Sequence, residues 1–112
     1  MKKKVAKKVG RKINILSKNK TYYKNNKRYC ETDIETNHCA IEVKSGKGND
    51  LKKQLDKYSL VTHKEPIGYA PYMSNGSKKY VRKYYSLFDD IKTLIKYLIQ
   101  KGDGKKRKKG RK

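Results

Sequence analysis

"ETDIETNHCAIEVKSGKG", residues 31–48, is the stretch whose reading decides the fold. Two runs that alternate polar and apolar residues, "YCETDIET" (29–36) and "HCAIEVKS" (38–45), meet across "TNHC", where Asn37 suits a turn. That pattern predicts a β-hairpin. With Asn37 and His38 at the tip, Thr36 faces Cys39, Asp33 faces Glu42 and Glu31 faces Lys44. Facing residues of an antiparallel pair lie about 5 Å apart at Cβ on the same side, and residues two apart along a strand share a side. One side is therefore expected to carry Glu31, Asp33, Glu35, Glu42 and Lys44, and the other Cys30, Ile34, Cys39, Ile41 and Val43. The first is a charged cluster, the second a core.

The cluster is out of keeping with the rest of the chain. Of 112 residues, 32 are Lys or Arg and only 10 are Asp or Glu, a formal charge of +22, yet four of those acids fall between residues 31 and 42. So much positive charge opposes compaction and is tolerated where the partner is a polyanion. Nucleic acid is the leading partner, with a ribosomal or histone-like structural role as the plainer version. No run approaches the eighteen or so apolar residues of a membrane span, and "MKKKVAKKVG" has no apolar stretch of the secretory kind. A cytoplasmic site of action is expected, reached in place or by delivery as part of a larger secreted protein. Cys30 and Cys39 are too few for a disulfide framework or a four-ligand zinc site and read as small buried apolar residues.

Outward from the hairpin, the length predicts one small domain. Residues 1–28 hold twelve basic residues and no acid, and read as a basic arm in which only "VGRKINIL" offers a strand, with Ile13 and Ile15 pointing one way. After the hairpin, "NDLKKQLDKYSLV" places Leu51, Leu55 and Tyr58 at helical spacing, with Asn49 or Asp50 as cap. "PIGYAP" reads as a third paired strand, "SKKYVRK" as a turn or two of helix and "YYSLF" as a last strand. "DDIKTLIKYLIQKG" closes the core as a helix with acids at its start, Ile91, Leu94, Ile95 and Leu98 on one face, and Gly102 at its exit. Residues 28–101 are thus the core, and 102–112 a disordered basic tail. The order predicts a mixed α/β (α+β) domain, a small mixed sheet of four to five strands flanked by helices.

Two carboxylates held side by side repel one another unless a cation sits between them. A hard divalent ion takes carboxylate oxygens and water. A lysine two residues beyond the second acid reaches the same side and can meet an attacking water or the charge developing on a phosphate. These are the parts needed to hydrolyse a phosphodiester.

"TDI" followed nine residues later by "IEVKSG", with Gln54 and Tyr58 forming a "QxxxY" pattern on the next helix, resembles the PD-(D/E)xK nuclease superfamily, the restriction-endonuclease-like fold. The resemblance covers about residues 28–71. It implies a metal-dependent endonuclease using magnesium or manganese, with Asp33, Glu42 and the carbonyl of Val43 holding the metal, Lys44 activating or stabilising, and Gln54 orienting the site. Within the superfamily the run looks most like nuclease domains at the C-terminus of bacterial polymorphic and contact-dependent toxins, which implies a DNA or tRNA substrate and an acidic immunity protein. Holliday-junction resolvases have similar length and basicity, and a basic nucleic-acid-binding protein without catalysis is the remaining alternative. Many members draw a further Glu from the first helix, and residues 1–28 contain no acid. Either Glu31 or Glu35 takes that place, the first helix is shortened, or the metal is held less tightly.

The other residues have plainer readings. Tyr58 shares the spacing of Leu51 and Leu55 and suits the core, while His38 and His63 read as polar turn and loop residues. Tyr22, Tyr23, Tyr80, Tyr84 and Tyr85 sit among lysines and arginines, a mixture that suits phosphate tracking and base stacking. In the tail, Lys105, Lys106, Arg107, Lys108 and Lys109 are expected to neutralise phosphates without regard to sequence.

Overall fold

The computed structural model describes residues 1–46 and 50–105. In chain order the elements are α1 (Lys2–Gly10), β1 (Ser17–Lys24), β2 (Lys27–Glu35), β3 (Cys39–Val43), α2 (Leu51–Val61), β4 (Glu65–Tyr69), α3 (Asn75–Arg82), β5 (Ser86–Phe88) and α4 (Ile91–Gln100). The five strands form one sheet in the order β1-β2-β3-β4-β5. β1, β2 and β3 run antiparallel in succession, whereas β3, β4 and β5 are parallel. Parallel neighbours need a crossover, and α2 and α3 supply the two. The expected class, a mixed sheet flanked by helices, is what the chain forms.

Helices cover both faces of the sheet. Val5, Ala6 and Val9 of α1 and Leu94 and Leu98 of α4 pack on one face with Ile34, Ile41, Val43 and Ile67. On the other, Leu51, Leu55 and Tyr58 of α2 and Val81 of α3 pack with Cys30, Ala40 and Leu87. Gly68 in β4 permits the close approach of α2, since a Cβ there would lie 3.0 Å from Leu51 and 2.9 Å from Leu87. The last helix begins and ends as its sequence suggests: Asp90 accepts from the Thr93 N–H at 3.0 Å to cap α4, and Gly102, at φ +94°, carries the chain out of it.

The N-terminal 28 residues depart from expectation. A helix, α1, occupies Lys2–Gly10, and Ile13 lies outside the strands, joined only by an isolated bridge to Gly104. The first strand is instead Ser17–Lys24, turned back into β2 at Asn25 and Asn26, which have φ values of 53° and 65°. Asparagine tolerates the left-handed conformation that a two-residue hairpin loop demands. α1 was hidden because three small apolar residues suffice to anchor it, and β1 because an edge strand dense in lysine has no apolar alternation to show. At the other end, residues 102–105 pack against the body: Asp103 is buried, and the Lys105 N–H donates to Lys12 O at 2.9 Å. The remainder of the expected tail, including Lys106, Arg107, Lys108 and Lys109, lies outside the described residues.

Candidate active site

The predicted hairpin forms in the predicted register. Ile34 pairs with Ile41 and Glu35 with Ala40, and the Thr36 N–H donates to Cys39 O at 2.9 Å, so Asn37 and His38 make the turn. The ladder does not continue to Asp33 and Glu42. There the Asp33 side chain takes the place of a backbone acceptor, its Oδ2 receiving the Val43 N–H at 2.8 Å. Asp33 is thereby fixed beside the end of β3, from which Glu42 and Lys44 project.

The expected division into two sides holds for Ile34, Cys39, Ile41 and Val43 but fails for Cys30, which packs with α2 on the opposite face. The β1–β2 register omits Asn19 and Asp33, and Asn19 has φ 54°. Simple alternation is broken at that point. Glu35 keeps the face opposite Ile34 but spends its oxygens away from the cleft. It is 2% exposed and belongs to a separate buried group, where it accepts from Thr32 Oγ1 at 2.7 Å, Tyr22 O–H at 2.5 Å and Lys64 Nζ at 3.0 Å. Burial pushes the Glu35 carboxyl up, but these three donors and the Lys64 charge outweigh it and hold its pKa below the ordinary value. With its oxygens committed, Glu35 is a structural anchor, not an accessory of the cluster.

Asp33, Glu42, Lys44 and Glu31 do come together, and Gln54 joins them from α2. Val43 lines an adjoining cavity with Asp33, Glu42 and Lys44. Asp33 and Glu42 are only 6% and 8% exposed. Tyr58 has its ring fully buried in the core, as its spacing suggests, while its hydroxyl donates to Glu42 Oε1 and lies 2.9 Å from the carbonyl of Glu31. Burial first, and then the charge of Asp33, push the Glu42 carboxyl up to about 7, against the opposing pull of Tyr58 and Lys44. Two nearly buried carboxylates thus stand side by side in a setting that disfavours ionising both. Paired carboxylate oxygens are the kind of ligand a hard divalent cation takes. Asp33 Oδ1 and Glu42 Oε2 are the oxygens not taken by the Val43 N–H or the Tyr58 hydroxyl. Among the described residues no group of three or more His, Cys, Asp or Glu side chains is placed so that it could hold a metal ion between them.

Several residues of the site had no signal in the hairpin motif. Lys2, from the first turn of α1, places Nζ 3.1 Å from Asp33 Oδ1. Asp50, expected only as a helix cap, makes no side-chain cap hydrogen bond and instead pairs with Lys44 at 2.9 Å, while Lys44 stands 3.7 Å from Glu42 Oε2. Arg28, Tyr29 and Lys57 complete the wall of the cleft. An acid just before the helix that follows the Lys was visible in the sequence; a lysine thirty-one residues upstream of Asp33 was not.

Outside the cleft, His38 is more than a turn residue, since its Nδ1 lies 2.7 Å from the buried carboxylate of Asp103, which also accepts from Thr36 at 2.6 Å. Tyr22 and Tyr85 spend their hydroxyls on Glu35 and Asp56, whereas Tyr23, Tyr80 and Tyr84 remain exposed. Both cysteines are free and buried, and burial pushes the Cys39 thiol up to about 12. Comparison with models of protein families, with curated proteins and with solved structures returns no match.

Proposed function

We propose that the protein is a divalent-metal-dependent nuclease that hydrolyses phosphodiester bonds of nucleic acid at the Asp33–Glu42–Lys44 cleft. The observation that carries this reading is the pairing of two nearly buried carboxylates in a chain of charge +22, with Glu42 pushed up to about 7 by burial and by the charge of Asp33. Charge of that kind is costly to the fold and is retained where it does work. Asp33, Glu42 and the Val43 carbonyl would hold magnesium or manganese, which supplies Lewis acidity toward a phosphate oxygen and acidifies water.

The chain's own residues do the rest. The Val43 N–H and the Tyr58 hydroxyl each bind one oxygen of Asp33 and Glu42, so the other oxygen of each faces the cleft in a fixed direction. Lys44, held by Asp50 within 3.7 Å of Glu42, offers an ammonium to the charge that develops on the phosphate. Gln54 supplies an amide to orient water or phosphate, and Arg28 and Lys57 draw the polyanion to the cleft mouth. The resemblance extends the proposal to a toxin domain acting in the cytoplasm on DNA or tRNA and held in check by an acidic immunity protein.

A non-catalytic nucleic-acid-binding protein is the second reading. It is favoured by the ion pairs Lys2–Asp33 and Lys44–Asp50, which partly neutralise the cleft from within. Incubation of the wild type and Lys44→Ala with plasmid DNA, a four-way junction and total tRNA, with magnesium, manganese or chelator, separates the two. Metal-dependent cutting of one substrate, reduced about a hundredfold or more in Lys44→Ala, is the expected result. Binding to all three without cutting under either metal would favour the second reading.

A further inference from the structure

Lys2 is one of the cations already in the cleft. Asp33 Oδ2 is taken by the Val43 N–H, so Oδ1 is the oxygen free to meet a metal, and it is the one that Lys2 holds at 3.1 Å. Glu42 repeats the arrangement: Oε1 is taken by Tyr58, and Oε2 faces Lys44 at 3.7 Å. Each open carboxylate oxygen therefore has an ammonium standing where a divalent ion would bind. The two lysines differ in how they are held. Lys44 has a second partner in Asp50. Among the described residues Lys2 has Asp33 alone, and its side chain is 52% exposed. The backbone beneath it is fixed, because Val5, Ala6 and Val9 bury the inner face of α1 in the core. Lys2 can thus leave Asp33 without leaving the cleft, whose walls it lines with Arg28 and Lys57.

We propose that Lys2 is a built-in competitor for the cation site, whose ammonium occupies Asp33 Oδ1 in the free protein and moves to a backbone phosphate when nucleic acid enters. The inference rests on the nuclease reading of the cleft and adds a rule to it: metal loading is weak alone and strengthened by nucleic acid. The physical basis is exclusion, since an ammonium and a divalent ion cannot share one carboxylate oxygen at contact distance, whereas a phosphate gives the displaced ammonium an equivalent partner. By linkage, the factor by which nucleic acid strengthens metal binding equals the factor by which metal strengthens nucleic-acid binding.

Mn2+ titration of the full chain, followed by the paramagnetic resonance of the free ion, tests this. The proteins are the wild type, Lys2→Met, Lys3→Met and Glu42→Gln, each with and without a short phosphorothioate oligonucleotide. Without oligonucleotide, Lys2→Met is expected to bind Mn2+ roughly two- to fivefold more tightly than the wild type, the worth of a half-exposed ion pair, and to gain less when oligonucleotide is added. Lys3→Met, which removes a neighbouring charge that makes no such pair, is expected to track the wild type. Lys2→Met binding no tighter than the wild type, while Glu42→Gln still loses the ion, would overturn the competition and leave the nuclease reading standing. Mn2+ binding that Glu42→Gln leaves unchanged would overturn both.

Discussion

Glu35 and Glu42 are both nearly buried carboxylates of the same hairpin, and they titrate in opposite directions. Three donors hold Glu35 below its ordinary pKa, so its contribution to stability is present above about pH 4.5 and is lost as pH falls through the lower folded value. Glu42, pushed up to about 7 mainly by burial, behaves in the reverse sense: its favourable contribution is complete below about pH 4.5 and is lost as pH rises through 7. Chemical denaturation of the metal-free protein at several pH values checks both signs. Glu35→Gln is expected to lower stability by about 2 kcal/mol at pH 7, leaving Lys64 without its counter-charge, with the deficit shrinking toward pH 3. Glu42→Gln is expected to raise stability by roughly 1–3 kcal/mol at pH 8 while abolishing activity, and to bring almost no gain at pH 5. A loss of stability in Glu42→Gln at pH 8 would mean that its carboxylate is a structural anchor like that of Glu35.

At the scale of elements, the parts legible in the sequence are those whose periodicity is set by burial. α2 and α4 announce themselves through Leu51, Leu55 and Tyr58 and through Leu94 and Leu98, all fully buried. The hairpin register was legible because Asn37 and the two alternating runs leave it little freedom. What sequence spacing does not carry is an irregularity that shifts no residue count: at Asn19 and Asp33 the pairing skips, and Cys30 and Ile34 end on opposite faces. Nor does it show contacts between distant elements, which is why Lys2 was invisible as a neighbour of Asp33. The close fit of α2 on the sheet at Gly68 gives a test of the packing that positions Gln54 and Tyr58. Gly68→Ala is expected to cost about 1–3 kcal/mol, by overpacking against the buried Leu51 and Leu87, and to raise the Mn2+ dissociation constant as α2 is pushed away. Denaturant unfolding and the same metal titration measure the two effects. Unchanged stability would show that the leucines give way freely.

Taken whole, the molecule is a small three-layered body of strongly positive net charge, with four of its ten acids, Asp33, Glu35, Glu42 and Asp103, buried. Such a surface binds polyanions by releasing their counter-ions. If about five phosphates are contacted, affinity for nucleic acid is expected to fall roughly 500-fold between 50 and 200 mM salt, as fluorescence anisotropy would record; a flat salt dependence would show that the net charge is not the source of binding. The cleft sets two nearly buried carboxylates, Asp33 and Glu42, within that field, and its being an active site is the proposal to test. The measurement that tests it most directly is the rate of nucleic-acid cleavage by the wild type and Glu42→Gln over a magnesium titration. Cleavage that rises with magnesium in the wild type, vanishes in chelator and is lost about a hundredfold or more in a folded Glu42→Gln is the result predicted. Cleavage of equal rate in Glu42→Gln would contradict it.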